Sequence, residues 1–330
     1  MRTLEEAPSS LTDASGEPRW GSFAGGLPVL DFGRVGRGPL WRLTHHKRWS
    51  YVAIADENVF AGLAVVSVSY AATVLAFVLD RKRGELVFDA SVMGPASATS
   101  FEDGGPGRRG ARFGFGGTRI SVGDERVVAD LPGRAGRGAH ILVEATDAPR
   151  PTPIGAVVPI EGGFGNATEK RLVEVRGEIL AGNRRWVLDR AVAGFDHTAG
   201  YLARHTAWRW AFGLGFTEDG HRIGFNLVEG FVGEAECGGW LDGALYPFGE
   251  GRFEFSEGSP LEPWRVRTTC GGVDLRFAPA GLHAEHKNLG VVKSKFIQPV
   301  GAFEGTIRFG ERTVAVRGLP GVTEHQDVLW

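Results

Sequence analysis

The sequence is poor in features that mark several large functional classes. Its 330 residues include only two cysteines, Cys237 and Cys270, and neither has the Cys or His spacing of a zinc site around it. Two thiols in a chain of this length argue against a disulfide framework and suit a reducing compartment. Long apolar runs are also missing. Even a run such as Ala61 to Val68 falls far short of the roughly 20 residues that a membrane helix needs. The opening Met1-Arg2-Thr3-Leu4-Glu5-Glu6 lacks the apolar stretch of a signal peptide. A cytoplasmic chain with no transmembrane segment is the expectation.

Charge of one sign is scarce as well. A formal net charge of −2 leaves no electrostatic footprint for nucleic acid. The basic clusters Arg81-Lys82-Arg83 and Arg108, Arg109, Arg112 lie in glycine- or turn-rich stretches and read as solvated loop charge. Gly104-Gly105-Pro106-Gly107 and Gly114-Phe115-Gly116-Gly117 lack the Lys-Ser/Thr of a phosphate loop and the strand–helix context of a dinucleotide fold. No Gly-x-Ser-x-Gly elbow occurs. Neither an ATP-dependent enzyme nor a serine hydrolase is supported, and no cofactor is expected. The pair His45-His46 invites a metal reading, but adjacent side chains on a strand diverge and no third ligand is near.

Glycine is abundant, with 50 residues in no collagen-like period. Spread between short apolar segments, it indicates many tight turns. Arg252-Phe253-Glu254-Phe255-Ser256 and Val273-Asp274-Leu275-Arg276-Phe277 alternate with period two, as strands with one wet face do. Arg81-Lys82-Arg83-Gly84 and Gly310-Glu311 read as hairpin turns. No long segment keeps a helical period, so a mostly β chain follows.

An internal echo sharpens this reading. His46-Lys47-Arg48-Trp49-Ser50-Tyr51 aligns with His205-Thr206-Ala207-Trp208-Arg209-Trp210, and Gly84-Glu85-Leu86-Val87-Phe88 with Gly251-Arg252-Phe253-Glu254-Phe255. The two matches fall in the same order, which points to a duplication. The expected layout is a poorly ordered lead-in over 1–20, a first β domain over 21–165 and a second over 166–330.

The densest polar and aromatic stretch runs from Asp196-His197 to Trp210. Arg204, Thr206, Trp208 and Trp210 would share one strand face, a wall of the kind that lines ligand pockets. The plainer alternative makes the indoles core and Arg204 an ion-pair partner. Asp196-His197, just before that strand, reads as a loop at a barrel mouth where a carboxylate could orient an imidazole. Asn226 shares a face with Gly224 and Val228, so a buried amide there needs either a structural network or a ligand. Glu236, Trp240 and Asp242 follow, and paired carboxylates near an aromatic keep glycoside cleavage open as an alternative. His283 and His286 read as loop or satisfied surface histidines.

At these residues the chain resembles the domain-of-unknown-function 2804 family. The resemblance rests on Lys47-x-Trp49-x-Tyr51, on Asp196-x-Thr198-x-Gly200-Tyr201 with Arg204-x-Thr206-x-Trp208-x-Trp210, and on Gly224-x-Asn226-Leu227. It extends to Glu236-x3-Trp240-x-Asp242-Gly243 and to Gly318-x2-Gly321-x2-Glu324-His325 with terminal Trp330. Cys237 departs from the pattern, which has asparagine there. More distantly, the chain resembles tandem lipocalin-like proteins such as carotenoid hydratases, tocopherol cyclases and some fungal Diels–Alderases. That resemblance implies two lipocalin-like antiparallel β-barrels or strongly curved sheets, acting on an apolar small molecule without a nucleotide.

The resulting expectation is a cavity that binds a lipid, terpenoid or polyketide and runs acid–base hydration, cyclisation or isomerisation. Asp196, His197, Arg204 and Glu236 are the candidate proton-transfer or charge-stabilising groups. Tyr201, Thr206, Trp208, Trp210, Asn226, Trp240 and Asp242, with Lys47 and Trp49, are the candidate ligand contacts. A non-catalytic lipid or isoprenoid carrier is the main alternative.

Overall fold

The computed structural model describes residues 2–33, 35–133, 137–288 and 292–330, and most of them lie in strands. The strands form two curled sheets. The first runs in the order Glu85–Pro95, Ala71–Asp80, Val59–Ser67, His46–Ala55, Arg184–Tyr201, Gly165–Ala181, Ala139–Ala145, Arg126–Leu131, Thr118–Gly123, Arg109–Phe115 and Thr99–Asp103. Its edge strands are consecutive in the chain, joined by the 3-10 turn Ala96–Ala98. The sheet therefore curls back on itself, around a filling that includes Val52, Ile54, Leu63, Phe113, Ile141 and Phe195.

The second sheet runs Ala244–Pro247, Gly238–Leu241, Arg222–Gly230, His205–Phe216, Arg312–Leu329, Lys293–Phe309, Val273–Asn288, Trp264–Thr268 and Gly251–Glu254. Its edge strands are likewise consecutive in the chain. The mostly β expectation holds, as two curled antiparallel sheets. Both expected hairpins form, with Asp80 opposite Glu85 and Phe309 opposite Arg312.

His46–Ala55 and His205–Phe216 each begin a four-strand meander and each pair with the last strand of their own sheet, Arg184–Tyr201 and Arg312–Leu329. The echo around Trp49 and Trp208 thus marks equivalent strands. The second echo does not, because Glu85–Pro95 ends one meander whereas Gly251–Glu254 lies across the closure of the other sheet. The chain passes between sheets from Tyr201 to His205, so residues 166–201, assigned by sequence to the second half, pair within the first sheet.

The segment expected to be a poorly ordered lead-in is held down by two ordinary forces. Glu5–Glu6 pairs in parallel with Gly21–Ala24, and Leu11 is buried in a small cluster with Phe23 and Leu27. Val59–Ser67 is buried almost throughout because one side faces the first sheet's filling and the other packs against the second sheet. Phe60 and Phe77 share a cluster there with Phe212 and Phe225. That double burial explains the apolar run at Ala61–Val68. Among the described residues, no helix is long and apolar enough to cross a membrane.

The long strand Gly165–Ala181 changes partner along its length, from Ile154–Pro159 to Ala139–Ala145, with a bulge between Val175 and Gly177 against Arg184–Tyr201. Gly177 has φ +151°, and a Cβ there would stand 2.0 Å from the Leu142 carbonyl oxygen. Gly177→Ala should cost about 2–4 kcal/mol by urea denaturation, through strain and backbone clash. Gly84→Ala, at φ +61° with open space around it, should cost about 1 kcal/mol. Equal losses in the two variants would refute this account of the bulge.

Candidate functional site

Strand alternation decides which side chains meet. Lys170 lies directly opposite Asp196, and Asp196 opposite Tyr51, so these three share the side of the first sheet that faces the second. Trp49 and Thr168 lie two residues from Tyr51 and Lys170 and project the same way. In the second sheet Trp210 lies opposite Glu324, and Trp208 opposite Gln326. Between the two surfaces lies a cavity of about 250 Å³, near the lower end of small-molecule sites. Its walls include Trp49, Tyr51, Trp208, Trp210, Phe231 and Phe296. Trp49 stacks on Trp208 at 6.2 Å, and Tyr51 meets Trp210 edge-on at 5.3 Å.

Two carboxylate clusters reach this cavity. In the first, the buried Lys170 ammonium contacts Asp196 Oδ1 at 2.6 Å, Thr168 Oγ1 at 2.7 Å and Glu236 Oε2 at 3.2 Å. Burial works against the ammonium, but Asp196 and Glu236 together outweigh it, and Lys170 holds its proton more tightly than an ordinary lysine. Burial pushes the Glu236 carboxyl up, and Lys170 offsets part of that rise. Glu236 arrives from the short 3-10 helix Gly233–Glu236 of the second half.

In the second cluster, Glu324 accepts from Trp208 Nε1 at 2.7 Å and from Gln298 Nε2 at 2.6 Å. Burial pushes its carboxyl up to about 7, against the pull of those two donors and with the help of negative Asp196. The two clusters are equivalent in topology. Tyr51–Asp196 and Trp210–Glu324 are cross-strand pairs between the first meander strand and the last strand of each sheet. Lys170 and Gln298 each reach that carboxylate from the next strand along.

Of the residues singled out by sequence, Asp196, Glu236, Trp49, Trp208 and Trp210 line the cavity together. Others do not. Asp196-His197 is not a loop at a barrel mouth but part of the strand Arg184–Tyr201, so adjacent side chains point to opposite sides and the carboxylate cannot orient the imidazole. His197 faces the first sheet's interior instead, with Nδ1 2.8 Å from Ser50 Oγ and Nε2 3.1 Å from Asp124 Oδ1. Burial, with Arg171 and Arg109 nearby, pushes it down to about 3. A neutral ring bound to a carboxylate donates from Nε2 and accepts the Ser50 hydroxyl at Nδ1. The Ser50–His197–Asp124 chain contains the residue types of a nucleophilic triad, but all three are buried.

Arg204 precedes the strand that begins at His205 and is absent from the cavity wall; its carbonyl accepts from the Trp330 amide at 2.8 Å. Thr206 Oγ1 donates to the Ala203 carbonyl and accepts from Trp330 Nε1. The Tyr201 hydroxyl donates to the Gly33 carbonyl, and its ring stacks on Trp41. The Lys47 ammonium donates to the Thr44 carbonyl behind Tyr70 and Trp330, with burial and then Arg204 pushing it down to about 7.

Asn226 resolves as a structural network. Its Oδ1 accepts from Trp210 Nε1 at 2.7 Å and its Nδ2 donates to the Glu236 carbonyl at 2.9 Å, so it sets one wall and one carboxylate in place. Trp240 is fully buried and donates to the Thr152 carbonyl. Asp242 sits in a turn at φ +48°, bonded to His221 and to the Arg222 amide. Cys237 is buried with its thiol against the Val228 amide and is pushed up to about 12 by burial. His283 is buried and bonded to Asp89. Sequence reasoning missed Lys170, Gln298 and the role of Glu324. The one available signal was that Glu324-His325 repeats the acid–histidine order of Asp196-His197.

Comparison with known proteins gives a family and distant structural likenesses. No curated protein matches the chain. Among solved structures it is similar to kievitone hydratase from Nectria haematococca, at 12% identity and TM-score 0.46, covering 99% of this chain and 97% of that one. It is similar also to CghA with Sch210972, at 11% identity and TM-score 0.46, covering 98% and 97% respectively. The model of the family described as domain of unknown function (DUF2804) matches residues 3–330, and the chain belongs to that family.

Proposed function

We propose that the cavity between the two sheets binds an apolar small molecule and carries out acid–base chemistry on it, of the hydration, cyclisation or isomerisation type. One observation carries this reading. An aromatic-walled cavity holds two topologically equivalent carboxylates whose partners differ, an ammonium at Asp196 and a neutral amide at Glu324. Environments that separate two acids in this way assign them different roles.

Glu324, poised at about 7, is the proton donor near neutral pH, where a matched pKa gives the best transfer. Trp208 and Gln298 then stabilise the anion that remains. Asp196, ion-paired with Lys170, is the proton acceptor, while Glu236 completes the ammonium's shell. His197 and Arg204, the other two groups proposed from sequence, stand outside the cavity wall and take no part in this scheme. A carbohydrate substrate fits less well, because Asp196 and Glu236 share one ammonium instead of flanking an open cleft as separate acid and base.

Native mass spectrometry of protein from its own host should reveal a bound apolar molecule. Glu324→Gln should keep binding it but convert it at least about 100-fold more slowly. Binding without conversion by either protein would favour the carrier, and repeated isolation of empty protein would count against both readings.

Gln298→Lys places an ammonium beside Glu324 and should lower its pKa below neutrality. The pH optimum should then move to the acid side, with less activity at pH 7. An unchanged pH profile would remove Glu324 as the donor.

The raised pKa also predicts a stability trend. A carboxyl at about 7 in the fold and 4.5 as its model value binds its proton more tightly when folded. Its contribution is complete below pH 4.5 and is lost as the pH rises through 7. The wild type should therefore lose about 3 kcal/mol relative to Glu324→Gln between pH 4 and 8 in urea titrations. His197 titrates alike in both proteins and cancels. Parallel stability curves would contradict the assignment.

A further inference from the structure

The charges around the cavity carry a further inference, which rests on the ligand-binding reading above and adds a ligand class to it. Among the described residues, the cavity wall carries four carboxylates, Asp196, Glu236, Glu285 and Glu324, and two ammonium groups, Lys170 and Lys287. The Lys170 ammonium is closed to a ligand anion, and Lys287 already has a carboxylate partner. The three protons of Lys170 face Asp196, Glu236 and Thr168 at 2.6–3.2 Å, and a lysine has only three to give. Lys287 is 2.6 Å from Glu285. Lys47 and Arg204, two cations near Tyr70 at the aromatic rim, are not part of the wall, and Lys47 is turned to the Thr44 carbonyl.

A ligand carboxylate entering the space beside Asp196 and Glu324 would lose its hydration and find the Lys170 ammonium already fully bonded. It would also meet the carboxylates of Asp196, Glu236 and, above pH 7, an ionised Glu324 at short range, where burial weakens screening. A positive ligand meets the reverse. The carboxylates attract it, and indole and phenyl rings attract a cation within about 6 Å of their centres.

We infer that the cavity selects lipophilic ligands by charge, preferring an organic ammonium to a neutral alcohol and rejecting the carboxylate of the same skeleton. Fatty-acid-like anions are then excluded as ligands, and neutral or basic lipophiles form the class it takes.

The test uses the full chain at pH 8 with Nile red as a neutral fluorescent probe. It is displaced in turn by 4-phenylbutylamine, 4-phenylbutanol and 4-phenylbutanoate, which share one skeleton. The amine should displace the probe at a concentration at least about tenfold lower than the carboxylate, with the alcohol between them. In Asp196→Asn/Glu236→Gln, Lys170 loses both anionic partners and the order should reverse in favour of the carboxylate. Wild-type protein tests the inference even if that variant fails to fold. Probe binding with the carboxylate equal to or better than the amine overturns the charge selection alone. Absence of any Nile red binding overturns the cavity-binding reading and this inference with it.

Discussion

The buried ammonium of Lys170 ties the two halves of the structure together. A charge taken out of water costs several kcal/mol unless its partners are placed well. Here they come from three places: Asp196 across the strand pair, Thr168 two residues back on the same strand, and Glu236 from the second half. The first sheet alone leaves the shell incomplete. Bringing the two halves together both fills it and neutralises Glu236, whose carboxyl is also buried. The same step brings Trp49 onto Trp208 and Tyr51 onto Trp210, so cavity and half-to-half contact form as one feature.

A second constraint comes from the period of two. The hairpin Gly165–Ala181 with Arg184–Tyr201 serves two interiors at once. Lys170, Asp196, Thr168 and Thr198 face the second sheet, whereas Glu169, Arg171 and His197 face the other way. That other side has ion pairs of its own. Glu169 accepts the Leu27 amide at 2.8 Å and pairs with Arg109 at 2.8 Å, while Arg171 pairs with Asp124. These bonds fasten the segment around Leu27 to the first sheet. A hairpin charged on both faces is stable only because each face finds its own counter-charges.

Much of this was legible in the sequence. Strand alternation and turn residues specify local structure, so the hairpins at Arg81–Gly84 and Gly310-Glu311 could be read directly. Aromatic density located Trp49, Trp208 and Trp210, and the surrounding acids located Asp196 and Glu236. Lys170 was hidden because Glu169-Lys170-Arg171 looks like solvated charge, and only the cross-strand register puts its middle residue opposite Asp196. Gln298 was hidden for the same reason. His197 was misplaced because proximity in sequence was read as proximity of side chains, which a strand denies.

The equivalence of the halves explains why an acid of ordinary type acquires an unusual proton affinity here. The first meander strands carry Trp49-Ser50-Tyr51 and Trp208-Arg209-Trp210, and the last strands carry Asp196-His197 and Glu324-His325. In each sheet the acid pairs across from the second aromatic and the histidine from the residue between the aromatics. Two copies of one arrangement thus face each other across the cavity. Two carboxylates so placed cannot both ionise cheaply, as the upward push of Asp196 on Glu324 indicates. Lys170 gives Asp196 a counter-charge, whereas Glu324 has only the neutral Gln298 amide and Trp208 indole as donors, and burial pushes its carboxyl up. The difference between an ammonium and an amide at one pair of equivalent positions is therefore sufficient to give two copies of one structural element different electrostatic surroundings.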